Sequence, residues 1–341
     1  MNSLPHSSSP SPVHSPVNDG SPVNADLSAG LSGGFAGGAP SQLPGEPALA
    51  APVIGQSEPV SVVPVVTPPA STPAPPLSPA PGQLDRTTIW DVPFDNVTLE
   101  GSVDHVGELI RCGEPSYVIT ANLNYVMLHH RIAEMDAVTR DAALILADGQ
   151  PIVWRSKLEH NPLPERVAGS EMIYQLAERA SREGWRIYFL GGEPGVAAAA
   201  AETLSRLYPG LQIAGVESPP FRSLSQEEQD AQDERIRSAR TDLLLVAFGQ
   251  PKGERWIHAN YKRLGVPVSI QLGASFDFIA GTAKRAPAIF QKVGMEWAYR
   301  MLSDPKRLIP RYTSNAMFLI GAIIEDWKRQ VTRWGMGNWV D

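Results

Sequence analysis

The sequence predicts an α/β fold: a Rossmann-like parallel sheet flanked by helices, with a helical C-terminal appendage and a disordered N-terminal tail. Three observations carry this. Short aliphatic runs alternate with helical patterns from residue 117 to residue 272, as in βαβ units with right-handed crossovers. The run 242–248 is nearly all aliphatic, as expected of a strand buried on both faces. After Gly273 no strand pattern remains, and helical stretches are punctuated by Pro287, Pro305 and Pro310.

Taken in order, residues 87–98 read as an extended segment or hairpin and 99–110 as a helix. Residues 117–120 form a predicted strand, 124–136 a helix, 143–147 a strand and 150–158 a helix. A loop with Pro162 and Pro164 leads to Ser170, a good N-cap, and a helix to Glu183. The strand 186–190 ends in Gly191-Gly192-Glu193-Pro194-Gly195, and an Ala-rich helix runs to Leu207. Strand 211–216 precedes a charged helix, 225–240, with Ser225 and Glu228 spaced for a capping box. Strand 242–248, helix 253–264 and strand 268–272 complete the sheet.

Composition divides the chain near Asp85. Residues 1–85 hold 18 of the 32 prolines and no Lys or Arg, so they cannot bury enough apolar surface to offset ordering entropy. The start has neither the basic n-region nor the apolar core of a Sec-type signal, and the segment reads as a non-catalytic tail. Residues 86–283 then form the Rossmann-like domain and 284–341 the appendage. The net charge of −7 argues against nucleic acid as a partner, and five of the acids lie in the tail. Residues 284–333 carry ten Lys/Arg against four Asp/Glu, which suits anionic headgroups, a diphosphate or a solvated helix surface. The apolar stretch 316–324 is far short of the ~20 residues that span a bilayer, so membrane association is expected to be peripheral. Cys112 is the single cysteine, which excludes a disulfide framework and fits a reducing cytoplasm.

Chemistry concentrates at two strand ends, Thr120-Ala121-Asn122 and Ala147-Asp148-Gly149. Adjacent parallel strands open their carboxyl ends into one crevice, where ligands bind. Asp148 can take a proton from an attacking hydroxyl or cap the helix that follows it. Thr120 and Asn122 can bond sugar hydroxyls or satisfy loop backbone. His129 and His130, within the next helical stretch, suit surface or core roles better than a metal site. Gly191-Gly192 can present backbone N–H groups to a phosphate or ribose, or simply make a tight turn. No Asp-x-Asp pair occurs, so leaving-group charge must be met by cations or helix ends. Arg285, Arg300, Arg307 and Arg311 are the candidate cations, and Phe290, Trp297, Tyr299 and Tyr312 can pack the appendage or reach an interface.

The ordered set of segments resembles the WecG/TagA/CpsF glycosyltransferase family. It comprises Thr120-Ala-Asn122, Ala147-Asp148-Gly149, Pro164-Glu-Arg166-Val-Ala-Gly169-Ser170 and Phe189-Leu-Gly-Gly-Glu-Pro-Gly195. Phe248-Gly-Gln-Pro-Lys252, Gly273-Ala-Ser-Phe-Asp277-Phe-Ile-Ala-Gly281, Lys284-Arg285-Ala-Pro287 and Glu296-Trp-Ala-Tyr-Arg300 leading to Pro305-Lys-Arg307 follow. The match spans residues 87–315.

The resemblance implies an inverting, metal-independent transferase at the cytoplasmic face of the membrane. Such an enzyme needs no cofactor and moves a sugar from a UDP donor to a polyprenyl-diphosphate-linked acceptor. It implies Asp148 as general base and Thr120 and Asn122 as pocket residues. Arg166, Gly191, Gly192, Gln250, Lys252, Glu254 and Asp277 stand in the matched segments as substrate contacts, and Arg285, Arg300, Arg307 and Arg311 as appendage cations. One departure stands out: the family's Pro-Lys-Gln-Glu is Pro251-Lys252-Gly253-Glu254 here, with Gln250 three positions earlier as a substitute amide. The rival reading is a non-catalytic nucleotide- or sugar-binding module with Asp148 as a cap. A nicotinamide enzyme fits less well, because the G-x-G-x-x-G fingerprint is missing.

Overall fold

The computed structural model describes Gly82 and residues 84–220, 222–283 and 305–337. All of these fall in the second of two units, residues 71–341, and nearly all of the expected tail lies outside the described residues.

The described chain opens with an antiparallel hairpin, β1 (Arg86–Ile89) and β2 (Val92–Asp95). Its two turn residues, Trp90 and Asp91, have φ of 47° and 62°, the left-handed pair that matches the twist of a two-residue hairpin. The buried Asp95 carboxylate accepts from Arg86 Nε at 2.9 Å and from the Ile145 N–H at 2.7 Å, which stitches the hairpin to the main sheet. Helix α1 (Leu99–Cys112) follows, capped by Thr98.

The main sheet has six parallel strands: β3 (Ser116–Ala121), β4 (Leu144–Ala147), β5 (Arg186–Gly191), β6 (Gln212–Glu217), β7 (Leu243–Ala247) and β8 (Val268–Gln271). Their order is β4-β3-β8-β7-β5-β6. One face is covered by α1, α5 (Gly169–Glu183), α6 (Val196–Leu207) and α9 (Ser275–Ala280), around Val106, Ile173, Leu204 and Phe276. The other carries the hairpin with α2 (Leu123–Arg131), α3 (Glu134–Arg140), α7 (Gln226–Ser238) and α8 (Lys252–Leu264), around Tyr125, Met135, Ile236 and Ile257. Strands β7 and β8 are covered on both sides, which is why their sequences do not alternate. The short α4 (Gln150–Ser156) follows β4, and α10 (Pro305–Gly337) packs on α2.

Most expected elements are present within a residue or two, including the capping box. Ser225 Oγ accepts from Glu228 N at 3.2 Å, and the Glu228 carboxylate from Ser225 N at 2.8 Å. Three local expectations are corrected. The single helix 124–136 is two helices, because Ile132 is extended (φ −124°, ψ 105°). That break lets Tyr125 and Val126 of α2 and Met135 and Val138 of α3 enter one core. Ser170 is not an N-cap: α5 starts at Gly169 behind an extended Ala168 that offers no side-chain cap. Pro310 does not break the appendage, since α10 runs through it for 33 residues. A proline in the second turn deletes one backbone bond, and packing on α2 holds the helix. Pro305 stands at the first position of α10, and Pro287 lies outside the described residues.

Candidate active site

Strand β3 sends the chain to α2 on one face, and β8 sends it to α9 on the other. Their ends therefore part, which makes a crevice at the carboxyl edge of the sheet. Thr120 lies at its floor, buried, with Oγ1 donating to the Gln271 carbonyl at 3.0 Å. The register pairs Ala121 with Ala147, and the Asp148 N–H donates to the Ala121 carbonyl at 2.9 Å. The two strand ends singled out in the sequence thus meet.

Asp148 does not cap the helix that follows it. The N-cap of α4 is Gly149, with no side-chain bond. Asp148 Oδ2 instead accepts from the Gly169 N–H at the start of α5, at 3.4 Å. Arg166 Nη1 is 3.8 Å from Asp148 Oδ1, and Arg166 Nη2 is 3.0 Å from Glu171 Oε1. A Cβ at Gly169 would lie 3.1 Å from Leu272 Cδ2 and 3.3 Å from Thr120 Cγ2, so glycine lets the helix end approach the strand ends this closely. The carboxylate is 26% exposed, between a helix N-terminus and a guanidinium. It is partly exposed, beside the positive end of a helix and a guanidinium that it shares with Glu171.

A second polar cluster lies across the start of α2. Asn122 caps that helix, its Oδ1 accepting from Tyr125 N at 3.2 Å. Asn124 Nδ2 donates to Gln250 Oε1 at 3.0 Å, and Arg311 Nη2 reaches the same oxygen at 3.4 Å. One amide in the β7–α8 loop therefore bridges α2 and α10. Below it Glu254 is buried in the first turn of α8. Burial pushes its carboxyl up to about 7, against the pull of the Gln250 side chain and the Arg311 charge. Lys252 Nζ lies 5.5 Å from the Phe248 ring centroid. At Gly253 a Cβ would meet Gln271 Cδ and the tip of its amide at 2.4 Å, so an amide from β8 stands where the sequence lacks one on α8.

The other expected residues divide. Gly191 and Gly192, at φ 111° and 76°, form a tight turn against β7, with Gly192 N donating to the Ala247 carbonyl at 3.1 Å. Asp277 sits in the first turn of α9, its carboxylate accepting from Thr282 Oγ1 at 3.4 Å, and no described contact joins it to the Asp148 cluster. Arg285 and Arg300, with Phe290, Trp297 and Tyr299, lie outside the described residues. Arg307 is on α10 one turn before Arg311, and its side chain lies outside them too. The histidines serve structure: His129 Nδ1 bonds Thr139 Oγ1 and His130 Nε2 the Trp90 carbonyl, each at 3.0 Å.

Sequence reasoning missed Asn124, Gln271 and the anchor of α10. A polar Gln ending an aliphatic strand was the available signal for Gln271; the anchor had none. Asp326 of α10 accepts from Arg155 Nε at 2.6 Å, Arg155 Nη2 at 2.9 Å and Trp90 Nε1 at 2.9 Å. Burial alone would raise the Asp326 carboxyl, but Arg155 and Trp90 hold it below its ordinary value. Leu308 and Asn315 are buried, while Met317, Ile320, Ile324, Trp327 and Val331 form an exposed apolar stripe at helical spacing. No helix among the described residues is long and apolar enough to cross a membrane.

Comparison with known proteins gives the family. The family model described as "Glycosyl transferase WecG/TagA/CpsF family" matches residues 87–332. A Bacillus spizizenii protein named N-acetylglucosaminyldiphosphoundecaprenol N-acetyl-beta-D-mannosaminyltransferase is 32% identical over 204 residues, 58% of this chain and 77% of the relative. A Bacillus subtilis protein of the same name is 30% identical over 237 residues, 67% of this chain and 90% of the relative. A Staphylococcus aureus protein, again so named, is 29% identical over 228 residues, 65% and 87% of the two chains. The resemblance read from the ordered motifs is thereby borne out, and the chain belongs to the WecG/TagA/CpsF family of glycosyltransferases.

Proposed function

We propose that the protein transfers a sugar of N-acetylmannosamine or glucose type from a UDP-sugar to a polyprenyl-diphosphate-linked saccharide in bacterial polysaccharide synthesis. The observation that carries this reading is the Asp148 carboxylate, partly exposed at the carboxyl edge of β4 and flanked by Arg166 and the first N–H of α5. Asp148 accepts the proton of an acceptor hydroxyl. That oxygen attacks the anomeric carbon, the bond to the UDP oxygen breaks, and the configuration inverts. Thr120 and Asn122 line the pocket, with Gly191, Gly192, Lys252 and Asp277 as further substrate contacts. Arg311, held at Gln250, meets diphosphate charge together with Arg285, Arg300 and Arg307. The reaction is read as metal-independent, as the family resemblance implies, and with no Asp-x-Asp pair in the chain the leaving-group charge falls to these cations and to helix ends.

The lipid-linked acceptor requires the protein to work at a membrane surface. The exposed stripe of α10 supports peripheral insertion at the cytoplasmic face, with Lys328 and Arg329 close to it on the same helix. The test is a panel of UDP-sugars presented with a short polyprenyl-diphosphate N-acetylglucosamine, in the presence and absence of EDTA. Transfer from one UDP-sugar, unchanged by chelation and giving a β-linked product, is expected. No transfer from any donor would overturn the reading, and loss of transfer in EDTA would overturn its metal independence.

A further inference from the structure

We infer that the Gln271 side chain is a positioning element of the transfer site: it holds the β7–α8 loop so that Gln250 can bridge α2 and α10, and it occupies the space that makes residue 253 a glycine. Gln271 ends β8, the strand beside the crevice, and is 2% exposed. A buried primary amide carries two donors and an acceptor and costs free energy unless they are used. Here the amide nitrogen donates to the Val246 carbonyl at 2.7 Å and the oxygen accepts from the Gly249 N–H at 3.0 Å. Gly249 immediately precedes Gln250, whose Oε1 accepts from Asn124 and Arg311.

The main-chain carbonyl of Gln271 meanwhile accepts from Thr120 Oγ1, so this one residue touches both halves of the site. The first turn of α8 lies against the same amide. A Cβ at position 253 would be 2.4 Å from Gln271 Cδ and within 2.6 Å of both terminal atoms of its amide. Methionine at 271 would keep the volume and lose both bonds, which leaves the Gly249 N–H without its partner.

The kinetic part of this inference rests on the proposed function, because it takes Arg311, held at Gln250, to meet the substrate diphosphate. Gln271→Met should raise the KM of one substrate about tenfold, as expected for loss of hydrogen bonds to a buried loop, with a smaller change in kcat. In a Gln250→Ala background the same substitution should add less than about twofold, as coupled sites do. Amide exchange at Gly249, which needs no substrate, should quicken in Gln271→Met. Separately, Gly253→Ala should lower Tm by several degrees in the native background and far less in Gln271→Ala. A Gln271→Met protein that loses Tm while KM and Gly249 exchange stay unchanged would overturn the positioning role, as would additivity with Gln250→Ala. Equal Tm losses from Gly253→Ala in both backgrounds would overturn the account of the glycine. If the unaltered protein transferred no sugar, the proposed function would fail, and the exchange and Tm measurements would still decide on Gln271.

Discussion

The Asp148 carboxylate accepts the first backbone N–H of a helix that begins 21 residues later, at Gly169, over 3.4 Å. A local cap would have tied Asp148 to the helix directly after it. This longer bond leaves the carboxylate at the carboxyl edge of the sheet, where the proposed general base would act.

Asp148→Asn keeps an oxygen for the Gly169 N–H and removes the proton acceptor. Turnover should fall by roughly 10²–10⁴, the usual size of general-base catalysis. UDP-sugar affinity, measured by calorimetry, should stay within about twofold, since the loss belongs to the transition state. Near-normal turnover would remove Asp148 from the mechanism.

Glu254 should make stability fall as pH rises. Its folded carboxyl is raised from 4.5 to about 7, so between those values the native state keeps a proton that the unfolded chain has lost. Stability therefore declines from about pH 4.5 to about pH 7 and levels off above. Glu254→Gln should remove the decline and be more stable at pH 8 by at most about 3 kcal/mol, since each tenfold change in proton affinity is worth ~1.4 kcal/mol. Thermal melts from pH 4 to pH 8 check this, and parallel curves for the two proteins would contradict it.

The Asp326–Arg155 contact should govern how firmly α10 is held. Charge-assisted bonds of this kind contribute about 1.5–3 kcal/mol each to the groups they join. Asp326→Ala should expose α10 to limited proteolysis and lower transfer at unchanged expression. The folded carboxyl lies below its ordinary 3.8, so its contribution is fully present above that value and is lost as pH falls through the folded value. Cleavage of α10 in the native protein should accordingly rise only in strong acid.

The apolar stripe of α10 predicts a separation of binding from chemistry. Ile320→Glu with Trp327→Glu should weaken partition into anionic vesicles by tenfold or more, because each apolar side chain contributes about 1.5–3 kcal/mol when buried. Transfer to a water-soluble, short-chain acceptor should be unaffected. Unchanged vesicle binding would show that this face meets something other than lipid.

The sequence by itself determined the sheet, its strands and the pairing of the two strand ends that carry Thr120 and Asp148. Buried strands need aliphatic runs, and parallel order sends their carboxyl ends to one edge. Its ordered motifs also identified the family. Local signals failed where a distant group took over a local duty. Ser170 had the right chemistry for a cap, but the Asp148 carboxylate supplied the bond from another strand end. Pro310 had the right chemistry for a break, but packing on α2 carried α10 through it. Asn124 and Gln250 stand 126 residues apart, and no periodicity in the chain marks them as partners. The glycine at 253 reads as a missing amide until β8 is seen to place Gln271 in the same space. Spacing along a chain reports which residues share an element; only the packed sheet decides which elements share a volume.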